Sequence, residues 1–399
     1  DTVRMDEVEM RVELRRLLEE SIRLRMIADV PVGAFLSGGV DSSAVVALMT
    51  RISGERLKTF SIGFDAVGRS LDERSYAQLV AARYGADHTE VVVTGWDVAA
   101  QLDDIVRAMD QPTGDGLNTY LVSQATASHV KVALSGLGGD ELFAGYPQFR
   151  SLRRAARAGA AWERLPHWGR AMAGAGFRPL AQLTGRPALG KVPGWLEADF
   201  LSRYLRTRTL FDEEAKRALY VYPPANGAAH PPSAAALRPY DIAHERDPIA
   251  KVTRLELKGY MAHTLLRDTD AMSMAHSLEV RVPLIDHRLV EFAVRLPASA
   301  KLRAGRAKAL LTDALGDLLP AEVISRRKQG FEMPVGTWLR NELHPVIEDA
   351  LSHRAVTQRG LFNPAAVTEI YQDFLAGRGP YMRVWALVAL ELWLREFVG

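Results

Sequence analysis

The chain has 399 residues, of which 48% are hydrophobic and 25% charged, and its formal net charge is +2. This length allows two or three domains or lobes, each with its own core. The near-neutral charge does not indicate a nucleic-acid partner, and no apolar run approaches the roughly 20 residues that span a bilayer. With no cysteine, the chain forms no disulfides and has no cysteine nucleophile. We therefore expect a cytoplasmic protein that binds neither nucleic acid nor membrane.

Strands and helices are predicted to alternate through the first part of the chain. Apolar residues at helical spacing predict an amphipathic helix over 6–26. Strands are then predicted over 32–36, 57–64, 88–93 and 130–134, and helices over 44–53, 72–84, 96–109 and 117–128. This order predicts an α/β fold with a parallel, doubly wound sheet and right-handed crossovers. In such sheets, ligands bind beyond the carboxyl ends of the strands.

The first strand ends in a glycine turn, Ser37-Gly38-Gly39, which leads directly into a helix. The two glycines allow backbone N–H groups to converge on an anion, and the helix dipole favours the same position. Asp41 adds a carboxylate, which beside a phosphate is explained mainly as a magnesium ligand. A plain tight turn is the alternative interpretation. The loop is not a Walker A motif, since no Gly-Lys-Ser/Thr follows the turn.

The fourth strand ends in a second glycine-rich turn, Ser135–Gly139, which is followed by Asp140 and Glu141. We expect the two turns to face each other across one nucleotide, because both follow parallel strands at the same edge of the sheet. Asp41 and Asp140 would then share a magnesium ion, which neutralises the charge of a triphosphate. Helix N-capping is the alternative role for Asp140 and Glu141.

The rest of the chain is predicted to be mainly helical. Residues 148–244 are rich in Ala, Arg and Gly and predict an irregular helical insertion with a Pro/Ala-rich loop at 222–239. Helices are predicted over 248–277, 306–318, 334–339, 344–351, 364–375 and 381–397. We therefore divide the chain into an α/β core (1–147), the insertion (148–244) and a helical C-terminal lobe (245–399).

Two basic segments each allow two interpretations. Arg150, Arg153, Arg154 and Arg157 form one face of a predicted helix, which is either solvated or binds a ligand. The turn Ser325–Phe331 contains three cationic residues between apolar helices, and it is either a solvated surface or points at phosphates.

Four motifs occur along the chain in the order SGGVDSS, LSGLGGDELFAGY, AMSMAHSLEVRVPLIDH and RRKQGFEMPVGTW. Together they resemble the synthetase domain of glutamine-dependent asparagine synthetases, within the ATP pyrophosphatase (PP-loop) superfamily, and the resemblance extends over nearly the whole chain. It implies an HUP-like fold and a ligase reaction in two steps. A carboxylate attacks the α-phosphate of ATP to give an acyl-adenylate and pyrophosphate, and ammonia then displaces AMP to form an amide.

The resemblance also implies roles for individual residues. ATP and pyrophosphate would be bound by Leu36, Ser37, Gly38, Gly39, Asp41, Ser42, Ile62, Gly63, Ser135 and Gly136. Within this set, Ile62 and Gly63 match the segment that recognises adenine. Asp41 and Asp140 match the Mg²⁺ ligands, and with Lys328 they form the catalytic set. Lys328 would neutralise the negative charge that grows on the phosphates in the transition state.

The sequence departs from the family pattern in three places. Leu137 and Thr264 occupy positions where the family has a proton acceptor, so Asp140, Glu141 or released pyrophosphate would have to replace it, or the acceptor is not aspartate. No arginine occurs in 110–120, where one is expected near the substrate carboxylate. The cysteine nucleophile of the glutaminase domain is missing as well. We therefore expect a piece of a longer protein whose glutaminase domain lies upstream of Asp1 or is supplied separately.

The leading hypothesis is the synthetase part of an asparagine synthetase, which uses ATP, Mg²⁺, a small carboxylate and ammonia. A related amidotransferase or cyclase acting on another carboxylate, in natural-product or cell-envelope metabolism, is the first alternative, and Leu137 favours it. An ATP-binding regulatory module without turnover is the second. A tRNA-modifying pyrophosphatase shares only the first loop and is disfavoured. The acceptor, the nitrogen source and the oligomeric state, including a homodimer, stay open.

Overall fold

The structure is a computed structural model that describes residues 4–65, 74–184, 190, 192–221, 242, 244–326 and 332–399, without the side chains of residues 178, 180 and 181. Among these residues, five strands form one parallel sheet in the order β3-β2-β1-β4-β5. The strands are β1 (Val32–Phe35), β2 (Lys58–Phe64), β3 (Asp87–Val93), β4 (Val132–Leu134) and β5 (Glu279–Arg281). The predicted α/β class with a parallel sheet, of the PP-loop type, is confirmed.

Helices cover both faces of this sheet. Those of the first 147 residues are α1 (Glu7–Arg25), α2 (Val40–Ser53), α3 (Arg74–Tyr84), α4 (Gly95–Ala100), α5 (Leu102–Ala108), α6 (Leu117–Ala127) and α7 (Gly139–Leu142). Neighbouring strand residues pack on opposite sides, since Ala34 belongs to the core with α1, α2 and α3, whereas Phe35 packs beside α6. This double coverage explains why the central strands β1 and β4 are apolar runs rather than alternating sequences.

The order of the strands locates a crevice. The chain leaves β1 through α2 to β2 on one side, and β4 pairs with β1 on the other side. The connections therefore diverge at the carboxyl ends of β1 and β4, which is where doubly wound sheets bind ligands. Both glycine turns predicted from the sequence begin at this position.

For helix α1, the periodic pattern of apolar residues predicted the span correctly but not all of the buried residues. The Asp6 carboxylate accepts hydrogen bonds from the backbone of Val8 and Glu9, and the Glu9 carboxylate accepts one from the Asp6 N–H, so a capping box fixes the start. The predicted span is confirmed. However, Val8 and Val12, two of the apolar residues whose spacing predicts this helix, are 58% and 64% exposed, whereas Met10 is buried.

The C-terminal two thirds of the described residues are mostly helical. They contain α8 (Pro147–Glu163), α9 (His167–Leu183), α10 (Val192–Glu197), α11 (Phe200–Arg208), α12 (Glu213–Leu219), α13 (Pro248–Leu255), a π-helical segment (Glu256–Leu265), α14 (Leu266–Met274), a 3-10 turn (Pro283–Ile285), α15 (His287–Val294), α16 (Ala298–Lys301), α17 (Ala309–Leu315), α18 (Ala321–Ser325), α19 (Val335–Trp338), α20 (His344–Ala350), α21 (His353–Arg359), α22 (Pro364–Leu375) and α23 (Tyr381–Phe397). A short hairpin, β6 (Leu302–Arg303) and β7 (Arg306–Ala307), precedes α17. None of the described helices is long and apolar enough to cross a membrane.

Several predicted elements need correction. The helix predicted over 96–109 is divided at Gln101, whose φ of −112° departs from helical geometry. The helix predicted from 306 begins only at Ala309, because residues 306–307 pair with β6 and Lys308 has a φ of +54°. β5 and α21 were not predicted. The Pro/Ala-rich loop at 222–239 lies outside the described residues, and the boundaries at 147 and 244 stay predictions.

Candidate active site

The loop after β1 is shaped by one glycine and one serine. Gly38 has a φ of +72°, and a Cβ built there would lie 2.6 Å from the Tyr76 Cβ, so no larger residue fits. The Ser42 hydroxyl accepts from the Ser37 N–H (3.3 Å), lies 3.1 Å from the Ser37 hydroxyl and donates to the Gly39 carbonyl (3.2 Å). These bonds draw the loop tightly over the first turn of α2, so that the N-terminus of this helix opens at the crevice.

The loop after β4 touches the first loop directly. A Cβ built on Gly136 would lie 2.5 Å from the Ser42 backbone nitrogen, and one built on Gly139 would lie 2.3 Å from the Asp41 Cγ. Real Cβ atoms do not approach other atoms so closely, so both glycines are needed for this contact. The structure therefore brings the two turns together at one edge of the sheet, as the sequence predicts.

Asp41 and Asp140 both contact Lys308, a residue that the sequence analysis did not identify as part of the site. The Lys308 ammonium lies 2.5 Å from Asp41 Oδ2 and 2.7 Å from Asp140 Oδ1. Burial lowers the pKa of Lys308, but the charges of Asp140 and Asp41 outweigh this effect and raise the pKa well above its ordinary value. The amine is therefore a cation, and the two carboxylates are no farther apart than the sum of these two distances.

The backbone explains the position of Lys308. The residue has a left-handed φ of +54°, its N–H donates to the Phe143 carbonyl (3.0 Å), and α17 begins at the next residue. Strand β7 of the hairpin ends at Ala307, directly before Lys308, and the change of backbone direction there points the Lys308 side chain into the crevice. The sequence signal is weak: a single lysine after Gly305, followed at once by the apolar residues of α17.

A cavity of about 1070 Å³ opens above the two loops. The predicted site residues that line it are Leu36, Ser37, Gly39, Asp41, Ser42, Ile62, Ser135, Gly136 and Asp140. Gly38 and Gly63 are not in its wall, and the Arg74 side chain covers Gly63, since a Cβ built there would lie 2.2 Å from the Arg74 Cδ. Lys328 lies outside the described residues. No described cluster of three or more His, Asp or Glu side chains could hold a metal by itself.

Arg306 and Arg326 both lie in the cavity wall, where Arg306 is paired with Asp313 and Arg326 contacts the first loop. Arg326 donates to the Gly38 carbonyl (3.4 Å) while its guanidinium stacks 4.4 Å above the Tyr76 ring. Arg326 and Ser325 are the described part of the predicted cationic turn, and both line the cavity. The loop end of the cavity is therefore suited to a polyanion.

A buried carboxylate lies on the other side of Asp140. Glu141 lines the cavity but is only 1% exposed, and the Tyr146 hydroxyl donates to its Oε1 at 2.6 Å. Burial raises the pKa of Glu141 to about 7, although the hydrogen bond from Tyr146 lowers it in part. At neutral pH this side chain can therefore both accept and release a proton.

A second tyrosine–carboxylate pair faces the same end of the cavity. The Tyr260 hydroxyl donates to Asp115 Oδ2 at 2.5 Å, and burial raises the pKa of Asp115. Tyr260 lies on the π-helical segment, a backbone form that is frequent at functional sites. Arg208 stacks 3.9 Å from the Tyr260 ring and 4.9 Å from the Tyr146 ring, so one cation links the two pairs.

Comparisons with known proteins agree on one family. The family profile described as asparagine synthase matches residues 13–395. A putative glutamine-hydrolysing asparagine synthetase of Mycobacterium tuberculosis (strain H37Rv) is 34% identical over 394 residues, which cover 97% of this chain and 58% of the relative. Asparagine synthetase [glutamine-hydrolyzing] 1 of Bacillus subtilis is 29% identical over 397 residues, which cover 98% of this chain and 60% of the relative. The amidase chyE of Penicillium rubens is 25% identical over 402 residues, which cover 92% of this chain and 59% of the relative. The chain thus spans less than two thirds of the length of these relatives.

Proposed function

The chain belongs to the asparagine synthase family, and we propose that it is the synthetase part of an ATP-dependent, AMP-forming amide ligase. The observation that carries this proposal is the contact between the two glycine turns, which brings Asp41, Asp140 and Lys308 together at the carboxyl ends of β1 and β4. Aspartate is the acceptor that the names of the asparagine synthetase relatives suggest, and asparagine would be its product.

The loop end of the cavity would bind the phosphates of ATP. Ser37, Gly39 and Ser42 offer hydroxyl or backbone donors at the N-terminus of α2, a position that favours anions. Ile62, near the end of β2, would contact adenine, the role that the family resemblance implies for it. Ser135 and Gly136 lie opposite, where the adenylate would form. Each of these roles is part of the proposal.

Asp41 and Asp140 fit a divalent cation. Their oxygens already share one cationic partner, Lys308, and carboxylates of this kind are the ligands that Mg²⁺ prefers. A magnesium ion bound by these two residues would neutralise the triphosphate and polarise its oxygens. Lys328 is proposed, from its motif, as the additional cation for the α-phosphate.

The proposed chemistry has two steps. First, an acceptor carboxylate oxygen attacks the α-phosphorus, the bond between this phosphorus and the bridging oxygen breaks, and pyrophosphate leaves. Next, ammonia attacks the acyl carbon, the carbon–oxygen bond to AMP breaks, and one proton leaves the nitrogen. We propose Glu141 as the acceptor of that proton, because Asp140 is engaged with Lys308 while Glu141 is buried and lines the cavity.

Replacing Glu141 by glutamine should slow amide formation about a hundredfold, the lower end for general-base catalysis, with adenylation retained. Single-turnover assays would measure pyrophosphate and amide separately at a fixed concentration of free ammonia. The wild-type rate of amide formation should rise as the pH passes about 7, because Glu141 must be deprotonated to accept the proton. The Tyr146→Phe control removes a hydrogen bond that lowers this pKa, so its profile should move to higher pH. An unchanged amide rate in Glu141→Gln would exclude this role.

The nitrogen source is proposed to be ammonia at this site. The two asparagine synthetases named above are glutamine-hydrolysing and longer than this chain. We propose that any glutamine hydrolysis takes place at residues outside this 399-residue chain, in another part of a longer protein or in a partner.

Incubation with ATP, Mg²⁺, ammonium and a panel of carboxylates tests the proposed function. Pyrophosphate should be released only in the presence of the true acceptor, and the amide of that acceptor should accumulate with AMP. Binding of ATP without pyrophosphate release from any acceptor would instead favour a regulatory module.

A further inference from the structure

Helix α8 presents positive charge to the cavity. It carries four arginines, and Glu163 at its last position is its only acidic residue. Arg150 and Arg154 line the cavity, whereas Arg153 and Arg157 do not. The guanidinium groups of Arg150 and Arg154 make no ion pair or hydrogen bond in the part of the chain that the structure describes. By contrast, Arg306, also in the wall, is paired with Asp313.

The two cavity-wall carboxylates nearest the start of α8 in the hydrogen-bond network, Glu141 and Asp115, bond to tyrosines and not to Arg150 or Arg154. Glu141 is hydrogen-bonded by Tyr146, and Asp115 is hydrogen-bonded by Tyr260. Arg150 and Arg154 are four residues apart on one helix face, where like charges repel. Both side chains are exposed at the mouth of the cavity, so an anionic ligand could reach them and relieve the repulsion.

The direction of α8 sets the size of such a ligand. Tyr146, which contacts Glu141, is the N-cap of α8, so the helix starts beside the proposed proton acceptor. At 1.5 Å per residue, Arg154 lies about 10 Å along the axis from Pro147. A ligand that reaches from Glu141 past Arg150 to Arg154 would be about as long as three extended peptide residues. The cavity volume of about 1070 Å³ lies just above the range for small-molecule sites, about 300–1,000 Å³.

We propose that the acceptor is an extended molecule with at least one anionic group besides the carboxylate that is activated, and that Arg150 and Arg154 bind this second anion. This inference rests on the proposed function and specifies its substrate class. An acidic peptide and an acidic oligosaccharide share this chemistry. Free aspartate, the acceptor that the names of the relatives suggest, is too short to reach from Glu141 to both arginines, so this inference replaces it with a longer acceptor in the same ligase reaction.

Calorimetric titration tests the site without requiring turnover. The probes are triaspartate blocked at both ends, trigalacturonate, the blocked tri-asparagine peptide and free aspartate, each added to the wild-type chain with Mg·ATP. We expect at least one trianion to bind more tightly than the neutral peptide and free aspartate, and more weakly as salt is added. The Arg150→Gln/Arg154→Gln double variant should raise the Kd of that trianion at least tenfold. Arg157→Gln, an exposed residue of the same helix outside the cavity wall, should leave it unchanged.

The inference would be overturned if neither trianion bound, if free aspartate bound as tightly, or if the double variant bound the trianion like the wild type. Binding of only one trianion would support the inference and identify the scaffold. Measuring pyrophosphate release distinguishes failure of this inference from failure of the proposed function. If free aspartate caused equal pyrophosphate release by the wild type and the double variant, the inference would be wrong and the proposed ligase function would be supported. Arginine-dependent binding with no release from any acceptor would instead support the anion site and contradict the ligase.

Discussion

Asparagine in place of Asp41 or Asp140 is expected to reduce acceptor-dependent pyrophosphate release at least a thousandfold, equivalent to about 4 kcal/mol. The substitution keeps the shape of the side chain but removes its negative charge. Because each loop contributes one of the two carboxylates, neither can replace the other as a ligand. A triphosphate that is not neutralised would then face attack by another anion, the acceptor carboxylate, and this repulsion would prevent adenylation.

The free energy of unfolding should distinguish the two single variants from the double variant. Each single variant leaves Lys308 one carboxylate, so we expect little change in the free energy of unfolding. The Asp41→Asn/Asp140→Asn double variant removes both carboxylates that the described residues place around a buried ammonium, and it should lose about 3–5 kcal/mol. Denaturant unfolding measures this difference. Asp103→Asn is the control, because Asp103 also lies in the first turn of a helix but is exposed and outside the cavity wall. Wild-type turnover by Asp140→Asn would contradict the proposed metal position.

The core of the fold could be predicted because its signals are local. β1 and β4 are short apolar runs followed by glycine turns, and β2 and β3 each end in apolar residues. A helix ends where Gly54 takes a left-handed φ of +67°. Since α/β connections are short and right-handed, these local signals were sufficient to place both turns at one edge of the sheet. The contact between the turns follows from that topology rather than from any one residue.

Elements that depend on distant partners could not be predicted. β5 has three residues, Glu279–Arg281, with no alternation of its own, and its only support as a strand is the pairing with β4. Lys308 is 267 residues from Asp41 in sequence, and its left-handed backbone interrupts a segment whose composition favours a helix. Such positions are set by tertiary contacts, which override local propensity.

The part of the site around Tyr146, Tyr260 and Arg208, where we propose that the acceptor binds, was the least predictable from the sequence. Tyr146, Tyr260 and Arg208 come from three separate regions of the chain and meet only through ring stacking and hydrogen bonds. The basic face of α8 was visible in the sequence, but a charge pattern does not show whether it faces solvent or a cavity. The structure shows that two of its four arginines line the cavity.

Replacing Lys308 by methionine is expected to lower both stability and activity. The variant keeps an unbranched side chain, one heavy atom shorter, but leaves Asp41 and Asp140 close together without their shared cation. Removing one partner of a buried ion pair costs about 3–5 kcal/mol. Pyrophosphate release should fall about a thousandfold, the upper end for loss of one preorganised donor. Lys131→Met, at an exposed lysine outside the cavity wall, is the control for loss of a positive charge.

The pH dependence of stability gives an independent check. The pKa of Lys308 is higher in the folded chain than its ordinary value of about 10.4. Stabilisation from a raised pKa is fully present below the unfolded-state pKa and is lost only as the pH rises through the folded-state value. The difference in unfolding free energy between wild type and Lys308→Met should therefore be constant from pH 7 to pH 9. A difference that already falls between these values would show that the amine is not held as a cation.

Magnesium should compensate in part for the missing ammonium. Added Mg²⁺ is expected to raise the thermal midpoint of Lys308→Met more than that of the wild type, because a divalent cation between the two carboxylates would remove the repulsion that the substitution creates. Ca²⁺ and Na⁺ at equal ionic strength distinguish binding from screening. An equal rise in both proteins would mean that the metal does not bind between Asp41 and Asp140.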